Sequence, residues 1–123
     1  VISLRASRRW VDLSREWREY AEVTLERATL TATRTGETVD LMRAGLALTL
    51  DVTAASGTTP TLDVAVQTSH DGATWTTVAS FARATGVGSE RKRFSGLDRY
   101  VRAVATLGGT TPSFTFSVTG EAY

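Results

Sequence analysis

"GTTPTLDVAV" at residues 57–66 returns almost unchanged as "GTTPSFTFSV" at residues 109–118. How that phrase is read decides the fold. After each proline, apolar and polar residues alternate. Leu62, Val64 and Val66 carry the apolar set in the first copy; Phe114, Phe116 and Val118 carry it in the second. A period of two marks a strand with one buried face. Ahead of each proline stand a glycine and two threonines. Gly57 and Gly109 tolerate the positive φ that a turn demands. Pro60 and Pro112 fix φ and donate no hydrogen bond, which suits the first position of an outgoing strand. Each copy is therefore expected to be the turn of a strand–turn–strand unit, giving two hairpins in a sandwich of two sheets. The repetition is either an internal duplication or one turn built twice; two units are too few for a solenoid. With both turns at the same end, Gly57, Thr58, Thr59, Pro60, Gly109, Thr110, Thr111 and Pro112 would form a paired rim, a candidate contact surface.

Working outward, "LALTLDV" (46–52) alternates cleanly, with Leu46, Leu48, Leu50 and Val52 on one side. "HDG" (70–72) is a turn signal, and "ATWTTVASF" follows as a strand. "ERKRF" (90–94) reads as a short polar strand. Its charges split between two faces, as on a guarded sheet edge. "RYVRAVATL" is another strand. Towards the N-terminus, "ATLTATRTG" and "VDLM" read as strands. "DLSREWREYAEVTLER" (12–27) begins instead as a capped helix, and from Val23 the pattern changes to alternation, with Val23, Leu25, Leu30 and Ala32 at strand positions. Asp12 or Ser14 is its N-cap, and Leu13, Trp17, Tyr20, Ala21 and Thr24 lie on one side. The expected fold is mainly β: an antiparallel, jelly-roll-like β-sandwich over residues 23–123, preceded by an N-terminal arm with one short helix over residues 1–22.

Composition narrows the function. The chain has 123 residues, enough for one domain with a real core. It has no cysteine, so disulfides and cysteine-ligated zinc are excluded. Its 14 basic and 13 acidic residues leave a net charge of +1, a poor basis for direct nucleic-acid binding. No apolar run approaches the roughly 20 residues that span a bilayer, so no membrane partner is expected. "VISLRASRRWVDLSREW" lacks the apolar core of a signal peptide.

Candidate chemistry is thin. Ser69, His70 and Asp71 are consecutive, whereas a Ser–His–Asp triad needs side chains converging from separate places. A solvated turn is the better reading, and a hydrolase the weakest function. His70 is the single histidine. Asp51 and Asp63, facing each other across the first GTTP hairpin, would be the only start of a calcium site. No metal, cofactor or catalytic residue is assigned. Arg5, Arg8, Arg9 and Trp10 form a basic, aromatic stretch, and with Trp17 they are the candidate partner-binding residues of the arm. Trp10, Trp17 and Trp75 are a conceivable sugar-stacking platform, though Trp75 is expected in or beside the core.

Three stretches carry a resemblance: the "LTLDVTAASGTTPTLDV" hairpin, the "DGATWTTVASF" strand and the "RYVRAVATLGGTTPSFTFSVTGEA" close. Together, over residues 45–123, they resemble small structural proteins encoded in the head–tail gene clusters of tailed phages and prophages. That resemblance implies a non-enzymatic β-sandwich that binds protein surfaces. A capsid decoration protein on the outer surface of the shell is the first expectation, with a head–tail connector or tail component behind it. The implied partners are the major capsid protein or another virion protein and further copies of this chain, a trimer being favoured. The implied location is the virion, assembled in the bacterial cytoplasm. A carbohydrate-binding adsorption module is the alternative from another class.

Overall fold

The computed structural model describes residues 2–3, 9–13, 16–41 and 45–123, with side chains from residue 22 onward. Strands are the regular structure throughout these residues. In order they are β1 (Ile2–Ser3), β2 (Arg9–Leu13), β3 (Glu16–Leu30), β4 (Arg34–Thr35), β5 (Val39–Asp40), β6 (Leu46–Ser69), β7 (Thr76–Ser80), β8 (Gly88–Phe94) and β9 (Tyr100–Ala122). All join one sheet, antiparallel except where β1 runs parallel to β5.

Two very long strands organise this sheet. β6 has 24 residues and β9 has 23. They pair with each other from Leu46↔Ala122 to Ser69↔Tyr100. This corrects the hairpin reading of "GTTP". Neither copy turns the chain back on itself; each lies inside a long strand, and the two copies pair with one another, Thr58 opposite Thr110. Register shifts at Val52/Ala54, Ser56/Thr58 and Thr58/Thr61 show bulges clustered there. Bulges bend and twist a strand. A bend in one strand breaks a ladder unless its neighbour bends too. Writing the same phrase into both strands lets the ladder continue through the bend.

Either side of this crossing, β6 and β9 acquire different neighbours. In the first half of the sheet, residues 46–52 of β6 pair with β8, and residues 114–122 of β9 pair with β3. In the second half, residues 65–68 of β6 pair with β7, while residues 100–105 of β9 pair with β4 and β5. After β7 the chain stays beside β6 as far as Ala84, where Ala84 and Leu62 exchange backbone hydrogen bonds of 2.9 and 2.8 Å.

The helix expected ahead of Val23 is also corrected, whereas the strand expected from Val23 is present; Ser14, one of the two N-cap candidates, lies outside the described residues. Residues 16–30 are the single strand β3, which runs straight across the arm–domain boundary set at residue 22. Its beginning pairs with β2 and its remainder with β9. Leu13, Trp17, Tyr20 and Thr24 fit a helical stripe on paper, but the hairpin with β2 and the long-range pairing with β9 outweigh that pattern. A shift between Thr24 and Glu26 marks a bulge, which moves the buried face from the odd positions Val23 and Leu25 to the even positions Glu26 and Leu30.

The core follows the alternation. Leu46, Leu48, Leu50, Val52, Leu62, Val64 and Val66 of β6 are buried, with Val101, Ala103, Ala105, Phe114, Phe116 and Val118 of β9. Both halves feed one hydrophobic cluster. Phe81, after β7, meets Phe94, at the end of β8, edge to face with centroids 5.8 Å apart. Beside them two inward charges of the edge strand β8 bridge to the β7 segment. Lys92 Nζ donates to the Ser80 carbonyl at 2.9 Å, and Glu90 Oε1 accepts from the Ala82 N–H at 2.7 Å. Backbone groups that face away from β6 are thereby satisfied, and inward-pointing charge discourages strand addition at this edge.

Candidate functional site

The crossing is the most distinctive surface feature. Gly57, Thr58, Thr59, Gly109, Thr110 and Thr111 are exposed, and Pro60 and Pro112 are half-buried. The eight residues expected to form a rim of two turns instead lie side by side within two paired strands. The geometry is close to two-fold symmetric. Gly57 and Gly109 have φ of 115° and 99°; Thr59 and Thr111 have φ of 46° and 47°. A β-carbon on Gly57 would lie 2.7 Å from the Thr111 carbonyl oxygen and 3.0 Å from Pro112 Cα. One on Gly109 would lie 2.5 Å from the Thr59 carbonyl oxygen and 3.0 Å from Pro60 Cα. Each glycine thus makes room for the other copy's threonine and proline. The two threonines sit in the left-handed region, which disfavours β-branched side chains. Thr111 Oγ1 donates to the Thr110 carbonyl at 2.8 Å.

The arm candidates lie elsewhere. Arg5 and Arg8 fall outside the described residues. Arg9 and Trp10 stand in β2, opposite Tyr20 and Glu19, and Trp17 stands opposite Asp12. Arg9, Trp10 and Trp17 therefore share one two-stranded ribbon. Its distance from the crossing follows from β3. The ribbon uses residues 16–20 of β3, whereas Leu30 pairs with Phe114, next to the crossing. At 3.2–3.4 Å per residue, the two lie about 30 Å apart. The sheet does not combine them into one site.

The consecutive Ser69, His70 and Asp71 form a turn. Ser69 is buried, and its hydroxyl donates to Asp71 Oδ1 at 3.1 Å and accepts from the Gly72 N–H at 2.9 Å. Asp71 Oδ1 also accepts from the N–H groups of Ala73 (2.8 Å) and Thr74 (2.9 Å). The Thr74 and Ala73 N–H groups, then the Ser69 hydroxyl, pull the Asp71 carboxyl down to about 2. Acceptance of backbone N–H groups by a short acidic side chain is what shapes such turns. His70 is exposed beside it.

Asp51 and Asp63 are separated by the crossing. Asp51 lies opposite Ser117, while Asp63 lies opposite Thr106 and pairs with Arg83 at 3.1 Å. No cluster of three metal-ligating side chains occurs among the described residues. Asp40, largely buried, receives Arg99 through two nitrogens. That hydrogen bonding holds its carboxyl below the usual range and ties β5 to the start of β9.

Trp75 is half-buried on the outer face of the second half. The Arg102 guanidinium lies 4.1 Å from its ring centroid, and Arg102 Nε donates to Gln67 Oε1 at 2.8 Å. Sequence reading missed this contact. Its signal was indirect: in "RYVRAVATL" the core positions are Val101, Ala103 and Ala105, which put Arg102 on the opposite face.

The chain matches no protein-family model, and no curated protein matches it significantly in sequence. Among the described residues no helix is long and apolar enough to cross a membrane.

Proposed function

We propose that this protein is a non-enzymatic structural component of a tailed-phage virion that works by binding protein surfaces. A capsid decoration protein on the outside of the shell is the favoured form, with further copies of itself and the major capsid protein as partners. The observation that carries this reading is the crossing. It presents two matched Gly-Thr-Thr-Pro segments to solvent on the two longest strands of the sheet. Backbone pairing on both sides holds those segments, so they can meet a partner surface with little ordering cost. The resemblance to phage head–tail proteins covers residues 45–123, which include both copies.

We read the single sheet as a two-layered, jelly-roll-like sandwich folded at the crossing. The shared hydrophobic cluster, the Phe81–Phe94 contact and the Lys92 and Glu90 bridges support that reading, since each joins the two halves. A trimer at a symmetry axis of the shell suits a small protein with a projecting N-terminal ribbon.

The test is the copy number per purified particle against the major shell subunit, by quantitative mass spectrometry. Parity with the shell subunit supports decoration. A handful of copies moves the protein to the neck or tail, and absence from particles ends the virion reading. Replacing both GTTP segments by Gly-Ala-Gly-Pro, with the fold checked by circular dichroism, should abolish particle binding; retained binding removes the crossing from the interface.

A further inference from the structure

We propose that Arg102, stacked on Trp75 and fixed by Gln67, is a docking point for a carboxylate on a protein partner. The described arginines supply the contrast. Arg34, Arg83, Arg91 and Arg99 are all exposed, and each faces a carboxylate, at 3.7, 3.1, 3.8 and 2.9 Å respectively; Arg27 and Arg93 face none among the described residues but are exposed to water. Arg102 alone among the described arginines is half-buried, and no carboxylate among the described residues pairs with it. The described arginine most withdrawn from water thus has a neutral ring and a neutral amide as its side-chain partners.

Those neighbours orient it. The indole lies under the guanidinium plane at 4.1 Å. On one edge Nε is held by Gln67 Oε1 at 2.8 Å, and Gln67 Nε2 in turn reaches Thr77 Oγ1 at 3.4 Å. Gln67 and Arg102 are direct cross-strand partners on β6 and β9, and Gln67 and Thr77 are partners on β6 and β7. Three strands therefore hold one planar group. With Nε occupied, the edge formed by the two Nη groups remains. That edge is a two-pronged donor matched to a carboxylate. Partial desolvation raises the attraction for an incoming anion, and the fixed plane lowers the ordering cost of binding it. Because the guanidinium already covers one face of Trp75, an acidic side chain fits this surface better than a stacked neutral sugar.

The inference deepens the reading of the chain as a binder of protein surfaces by naming what the partner must offer, an exposed aspartate or glutamate. It is tested on the isolated protein, so its failure is separate from a failure of the copy-number measurement. The peptide acetyl-Glu-Glu-Glu-amide is titrated into the unsubstituted protein by calorimetry and into the Trp10→Phe, Trp17→Phe variant by fluorescence. The expected result is saturable binding with a change in Trp75 emission, weakened about tenfold by Arg102→Gln and several-fold by Arg102→Lys, which keeps charge but loses the fork. Acetyl-Gln-Gln-Gln-amide should not bind. Should the double tryptophan variant fail to fold, calorimetry on the Arg102 variants carries the test. Absence of saturable binding, equal binding by Arg102→Gln, or response only to an oligogalacturonate in place of the peptide each overturns the proposal.

Discussion

The two halves of the sheet share their central strands yet fill their interiors differently. In the first half, β6 and β9 bury Leu46, Leu48, Leu50, Val52, Phe114, Phe116, Val118 and Ala122; in the second they bury Leu62, Val64, Val66, Val101, Ala103 and Ala105. Leucine and phenylalanine thus predominate on one side of the crossing, and valine and alanine on the other. The outer faces differ as well. The first half carries the Arg91–Glu121 pair, and the second carries Trp75 with Arg102. At the crossing itself the two copies are nearly superimposable in φ. A symmetric bend therefore does not require symmetric packing. Backbone demands of glycine, threonine and proline set the bend, and side-chain volume sets the packing on either side of it.

Core truncation is the strongest way to break this comparison. Phe114→Ala should cost about 3–5 kcal/mol in urea unfolding, while Val66→Ala should cost about half as much because fewer atoms are removed. Equal losses would mean that the halves do not differ in the packing they contribute. Next in size are the glycines of the crossing. Gly57→Ala and Gly109→Ala each meet backbone and a positive φ, and each should lose about 1–3 kcal/mol by the same unfolding measurement. If the bend is truly symmetric, the two losses agree within about 0.5 kcal/mol and the double variant departs from their sum, because the sites touch.

The threonines sharpen the comparison from the other direction. Thr59→Asn, which suits the left-handed region, should raise the midpoint of thermal unfolding, with a gain of up to about 1 kcal/mol. Thr111→Asn should gain less, since it also loses the hydroxyl bond to the Thr110 carbonyl. The smallest effect concerns acid. The Asp71 carboxyl is lowered from 3.8 to about 2 in the fold, so its contribution is complete above pH 4 and is lost as pH falls towards 2. Asp71→Asn should flatten that part of the midpoint-against-pH curve and leave the neutral region's slope unchanged.

Much of the β architecture was legible because alternation reports which face is buried. Leu46–Val52, Leu62–Val66 and Phe114–Val118 fell as their period required, and "HDG" does turn the chain into β7. Strand partners were not legible. A glycine followed by a proline looks the same locally whether the chain reverses or merely bends. What decides is a partner 52 positions away, Thr58 set against Thr110. The helix failed for a related reason. The stretch from Asp12 up to Val23 satisfies a helical stripe and a cap, and that stripe says nothing of the hairpin with β2 or of the partner strand β9 almost a hundred positions on. In the candidate site, the rim residues were identified from their repetition, but their mutual contact was hidden. The Trp75–Arg102 pair joins residues with no shared motif, and only the register of three strands brings it about.

Because β9 is central to both halves, the order of synthesis matters. Until Tyr100 has been made, β6 has no partner on that side in either half; its first half, and β3 beyond β2, wait for residues 114–122. The pairings of β2 with β3 and of β6 with β7 and β8 precede β9, but those that join β3 to β6 through β9 link residues far apart in the sequence, and pairing of this kind folds slowly. During that interval the edges of β3 and β6 that β9 will cover stand open, so the protein's yield in a cell will depend on how quickly β9 arrives.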